Sequence, residues 1–184
     1  MSLKIYQIDT TINNPDNMAG YQKNDGEDIY SFFRLDMGDE DIIKKKKMIF
    51  IAGNGYTKQN IGKTDYIFCP CALLFSERFV KKVEAVLINE LQFIPCKIMC
   101  QGDTYEWYAA RIIRRLPLID KEASTYITLS EGEKIYDIIK YRTNIEDNFF
   151  IAKDVDSITD FAVSELFREL CVKNELNINF KKVN

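Results

Sequence analysis

Two stretches of this chain carry one pattern: a serine–glutamate step opens an apolar helix face, and the helix runs directly into a strand. The first is Leu74-Phe75-Ser76-Glu77-Arg78-Phe79 with Leu91-Gln92-Phe93 after it; the second is Ala162-Val163-Ser164-Glu165-Leu166-Phe167 with Leu176-Asn177-Ile178 after it. Phe79, Val83, Leu87 and Leu91 recur at helical spacing, while Ser76 suits an N-cap and Glu77 the first turn. Leu166, Phe167, Leu170 and Cys171 form the matching face of the second helix, Ser164–Lys173. Serine and strand leucine are 15 residues apart in one unit and 12 in the other, a difference of about one helical turn. The spacing fits two duplicated units packed side by side on one sheet, and equally the separate reuse of a common helix-to-strand device.

Around these units the pattern is mostly strand. Lys4–Asp9 alternates, and Ile29–Leu35 is a β-branched and aromatic run that predicts a strand. Turn chemistry at Asn13-Asn14-Pro15-Asp16 and Asn24-Asp25-Gly26 separates the two. Asp36–Lys47, with acids first and lysines last, predicts a loop, and Met48–Ala52 a strand ending at the Gly53-Asn54-Gly55 turn. Tyr66–Cys69 predicts a strand, and Leu91–Met99 with Thr104–Ile113 a hairpin turning through Gln101-Gly102-Asp103. For 133–141, Ser130 and Glu133 have capping-box spacing but the β-branched content favours a strand. Phe149–Ala152 is a further strand, and Leu176–Val183 alternates as a half-buried one. The expectation is a single α+β domain over 1–184, mainly antiparallel. It divides into a strand-and-loop part at 1–64 and a helix–strand part at 65–184.

The chain has no histidine. That removes every Ser-His, Cys-His and His-metal arrangement and the commonest general base, so the expectation is a non-enzyme. Net charge is -3, which offers no phosphate-neutralising surplus and argues against nucleic acid as a partner. No stretch approaches the ~18 apolar residues that span a bilayer, and the first residues lack a signal-peptide pattern. With five cysteines in apolar surroundings, these features predict reduced thiols and a cytoplasmic location.

Motifs for cofactors fail on spacing. Gly62-Lys63-Thr64 would need a glycine where Thr57 stands, and a helix where Asp65-Tyr66-Ile67-Phe68 reads as strand. Cys69-x-Cys71 and Cys96-x₃-Cys100 are not zinc knuckles; residues four apart on a strand sit ~13 Å apart. Asp154-Val155-Asp156-Ser157 with Asp160 lacks the glycine and final glutamate of a calcium loop. No metal or cofactor is expected. Lys44–Lys47 reads as a solvated loop beside the apolar Met48–Ile51 strand, and Tyr105, Trp107 and Tyr108 as cross-strand packing.

The order of segments from about residue 65 to 183 resembles an immunity-protein family of bacterial polymorphic toxin systems. The resemblance lies in Phe75-Ser76-Glu77-Arg78, Leu91-Gln92-Phe93-Ile94-Pro95, Tyr105-Glu106-Trp107-Tyr108 and Ile119-Asp120-Lys121-Glu122-Ala123-Ser124. Phe150-Ile151-Ala152, Val163-Ser164-Glu165 and Leu176–Phe180 complete it. Before the closing strand, Lys173-Asn174-Glu175 replaces the small-residue turn of the family pattern. The resemblance implies neutralisation of a cognate protein toxin by direct binding, with no catalytic residues to carry over.

Asp36, Asp39, Glu40 and Asp41 are then the candidate contacts for a partner with basic site residues. This reading predicts an exposed apolar or acidic patch and no deep polar pocket. The alternative, a histidine-free enzyme or small-ligand-binding protein, predicts convergent carboxylates such as Asp120 and Glu122 or Glu106. A pocket uniting several carboxylates and a lysine would count against the binding reading.

Overall fold

The computed structural model describes residues 4–8, 15–22, 26–130, 132 and 134–183. Asp9, the Asn13-Asn14 and Asn24-Asp25 turn residues, and Glu133 of the capping-box spacing lie outside the described residues. In chain order come β1 (Ile5–Ile8), a 3-10 turn (Pro15–Asn17), β2 (Ala19–Tyr21), α1 (Glu27–Leu35), α2 (Glu40–Lys45), β3 (Ile49–Ala52) and α3 (Lys58–Ile61). Then follow β4 (Tyr66–Phe68), β5 (Leu73–Ser76), α4 (Glu77–Leu87), β6 (Leu91–Cys100), β7 (Asp103–Ile112) and β8 (Arg115–Leu116). The chain closes with β9 (Thr125–Thr128), β10 (Lys134–Ile138), β11 (Ile151–Asp154), β12 (Phe161–Ser164), α5 (Glu165–Lys173) and β13 (Phe180–Lys182). The fold is mixed α+β, and its pairings are antiparallel except β3 with β6 and β8 with β11.

Six strands form one sheet in the order β2-β3-β6-β7-β5-β4, and a bridge between Met18 and Phe68 joins its two edges. The sheet thus nearly closes into a barrel. All six strands send alternate residues into one core: Ala19, Phe50, Ile98, Trp107, Leu74 and Ile67. Helix α1 fills it with Ile29, Phe32 and Phe33, and Ile43 and Ile61 arrive from α2 and α3. The intervening residues, among them Leu73, Phe75, Ala110 and Ile112, face outward into a second core shared with α4, α5 and the other large sheet. That sheet has five strands in the order β13-β1-β12-β11-β8, and β9 with β10 forms a separate ribbon.

The two serine–glutamate units prove to be one topology used twice, on two sheets rather than side by side on one. In the first, the hairpin β4-β5 leads through α4 to β6, and β7 fills the gap to give the order β4-β5-β7-β6. In the second, β11-β12 leads through α5 to β13, and β1 fills the gap to give β11-β12-β1-β13. Phe79 and Phe167, each the third residue after its serine, meet with ring centroids 6.1 Å apart. A two-fold relation between two units brings equivalent residues together in this way. Two carboxylates of the first unit also hold the second. Glu90, just before β6, accepts the Phe150 and Ile151 amides at the start of β11. Asp65, just before β4, accepts the Asn177 amide that follows α5.

Three segments depart from expectation. Ile29–Leu35 is the helix α1 instead of a strand, because Ile29, Phe32 and Phe33 sit at i, i+3 and i+4 and are the residues buried. Asp36–Lys47 is not a loop throughout. Asp39 caps α2 by accepting the Asp41 amide at 2.8 Å, and the order of acids then lysines matches the helix dipole. Leu176–Val183 ladders only at Phe180–Lys182, because Asn177 is drawn onto Asp65. The strand reading of 133–141 holds for Lys134–Ile138.

Candidate functional site

An open cleft of about 720 Å³ lies where α2, the C-terminal end of α4, the start of β6 and the end of β7 meet. Its inner wall is electrostatic. Asp36 ends α1 in the left-handed region (φ 58, ψ 31), a conformation an aspartate tolerates better than most residues, and its amide donates to the Ser31 carbonyl. The turn delivers the Asp36 carboxylate to three cations. Arg111 Nε donates to Oδ1 at 3.0 Å, Arg115 Nη2 to Oδ2 at 2.5 Å, and Lys153 Nζ to Oδ1 at 2.9 Å.

Lys153 is 2% exposed and also donates to the Arg34 and Phe33 carbonyls, which follow the orphan-acceptor logic of a helix C-terminus. The Arg111 guanidinium lies 4.7 Å over the Phe32 ring. Burial alone would push the Asp36 carboxyl up, but the hydrogen bonds from Lys153, Arg115 and Arg111 outweigh it and hold it below the usual carboxylate range. Burial pushes the Lys153 ammonium down, with its bond to Asp36 opposing.

The rim is different in kind. Glu40 pairs with Lys44 one helical turn on, and Glu84 is exposed on α4. Ile88 and Ile113 line the same cleft at 64% and 46% exposure, and Val86, Met37 and Ile42 are exposed close by in sequence. Large apolar side chains left in water beside arginines are the composition of a protein contact surface.

Of the four predicted contact residues, the cleft takes in two. Asp36 forms its inner wall and Glu40 its rim. Asp39 is spent on capping α2 and Asp41 lies in that helix's first turn. Asp36 is therefore no free acidic contact; it is the shared anion of a cationic cluster. The carboxylates of the alternative reading do not converge. Asp120 accepts the Glu122 and Ala123 amides in a local turn, and Glu106 pairs with Lys97 on the β6–β7 hairpin. The cleft nonetheless unites Asp36, Glu40 and Glu84 with Lys44, the combination that would count against a pure binding surface.

Sequence reading missed Arg111, Arg115 and Lys153. The available signal was a lysine inside the buried strand Ile151–Asp154, where an ammonium requires a partner. The remaining motif residues have structural work. Gly53 and Gly55 donate their amides to the Met18 and Asp16 carbonyls, which leaves neither to cradle a phosphate. A Cβ on Gly53 would come within 2.4 Å of the Asp16 carbonyl oxygen. Cys69, Cys96 and Cys100 are buried in the barrel core, with Cys71 partly buried against it. Asp154 is buried; its carboxylate accepts the amides of Leu118, Ile119, Asp156 and Ser157. Among the described residues, no helix is long and apolar enough to cross a membrane. No protein-family model matches the chain, and no curated protein matches it.

Proposed function

We propose that the protein is a cytoplasmic immunity protein that neutralises a cognate bacterial toxin by binding it directly. The observation that carries this reading is the cleft rim, where Ile88 and Ile113 stand exposed beside Arg111 and Arg115. Arginine is among the residues enriched at energetic hot spots, and large apolar side chains left exposed together mark a contact surface. Asp36 and Glu40 are each held by cations, so neither is poised as a free general base. The resemblance of residues 65–183 to immunity proteins supports the same conclusion, since Ser76 and Ser164 open the two helices around which the units are organised.

The test is co-expression with the product of the neighbouring gene, scored by rescue of growth and by co-purification. Rescue with a stable complex is the expected result; no rescue and no complex would remove the reading. The second reading, a histidine-free enzyme or small-ligand protein, draws on the meeting of Asp36, Glu40, Glu84 and Lys44 in one cleft. Rescue without any complex, lost on Glu84→Gln, would favour it instead.

A further inference from the structure

The acidic segment that suggested a basic partner is inverted by the fold. Asp36 is the one carboxylate at the inner wall, and three cations converge on it. Exposure sorts the charges by depth: side chains of Lys153, Asp36 and Arg111 are 3%, 13% and 23% exposed, while Glu40 and Lys44 at the rim cancel each other and Glu84 leaves one negative charge there, exposed to water. The inner end therefore holds more positive than negative charge, in a place where water compensates it poorly. Arg115 gives Asp36 one hydrogen bond from a guanidinium that carries five N–H donors, and it lines the cleft at 39% side-chain exposure. Ile88 and Ile113 line the cleft with it.

We propose that this cleft receives an acidic segment of the partner, a carboxylate set between apolar side chains. The carboxylate joins Arg115 and Arg111 on the side away from Asp36, and the apolar neighbours cover Ile88 and Ile113. The inference rests on the protein-binding reading and assigns the chemistry of what binds, which is the opposite in sign to a basic toxin surface. A partner carboxylate brought to a guanidinium forms the strong, planar, charge-assisted pair for which arginine is suited. Cationic charge at the base of a concavity also raises the arrival rate of an acidic segment and makes that rate fall with salt.

The test uses the purified protein and three short peptides that alternate leucine with glutamate, glutamine or lysine, read by fluorescence anisotropy. The glutamate peptide should bind best, and its affinity should fall roughly tenfold between about 0.05 and about 0.5 M salt. Arg115→Glu should weaken it by about tenfold or more, as loss of a charge-assisted contact does. Glu84→Lys, on an exposed helix position, should strengthen it by about threefold, so the proposal stays testable even if the Arg115 variant folds poorly. Equal affinity for all three peptides, preference for the lysine peptide, or no binding at all would overturn it. The co-expression experiment separates the two claims. A complex indifferent to both variants removes the cleft proposal and leaves immunity standing; glutamate-peptide binding without rescue or complex does the reverse.

Discussion

The carboxylate of Asp36 compensates an ammonium that is almost wholly buried. Asp36→Asn keeps the shape and suits the left-handed backbone, so what it removes is the charge. Leaving Lys153 uncompensated should cost about 3 kcal/mol, measured as a shift in urea midpoint at unchanged slope. The pH dependence follows from the direction of the shift. The folded-state value is depressed, so the stabilisation is present above the unfolded value of about 4 and is lost as pH falls through the lower folded value. The variant should flatten the acid limb of the stability curve. Thiols give a second residue-scale outcome. A hydrogen bond from Cys69 lowers the Cys71 thiol against the opposing effect of burial, with Arg34 assisting, whereas burial raises Cys96 and Cys171. Iodoacetamide at neutral pH should label Cys71 first, and Cys69→Ala should slow it. Neither residue announces itself in the sequence: Asp36 sits in an acidic run that reads as solvated surface, and its cations come from 75 to 117 positions away.

At the scale of elements, the paired serines were legible, but their roles differ in a way spacing does not reveal. Ser76 accepts the Phe79 amide at 3.0 Å and donates to Asp65 at 2.5 Å, so it is both cap and anchor. Ser164 makes no cap bond and instead donates to the Phe149 carbonyl. Ser76→Ala should therefore cost about 2 kcal/mol and Ser164→Ala about 1, compared by denaturant unfolding. Helix α1 was misread because aromatic and β-branched residues dominate it; the period of Ile29, Phe32 and Phe33 outranks their strand propensity. In α2 the split of acids and lysines was visible and read as solvation, although one buried residue, Ile43, and a capped first turn are enough to hold six residues in a helix. The long hairpin β6–β7 was plain because its turn residues Gln101 and Gly102 take positive φ between two strongly alternating strands.

For the molecule as a whole, the contacts between them decide whether two similar units behave as one. Their sequence gives no warning of it, since the strand that completes the second unit, β1, pairs with residues more than 150 positions away. Asp65 is fully buried and serves both sides. It holds Ser76 and Arg78 within its own unit and the Asn177 amide of the other. Glu90, on the same unit as Asp65, adds a second hold on the other by accepting two amides at the start of β11 at 2.8 Å each. Buried carboxylates of the first unit and one shared apolar core couple the two: opening the second strips those carboxylates of partners, and opening either exposes half of the core. Unfolding should accordingly be a single transition. Trp107, the only tryptophan, reports the barrel, and amide exchange of the β12 segment reports the five-stranded sheet. In wild type the two should give the same free energy. Glu90→Ala removes the acceptor for both β11 amides without touching the barrel core, so the β12 segment should lose protection first, by about 2 kcal/mol relative to the tryptophan signal. Coincident loss in that variant would mean that the apolar core alone unites the units and that the carboxylate contacts are incidental to cooperativity.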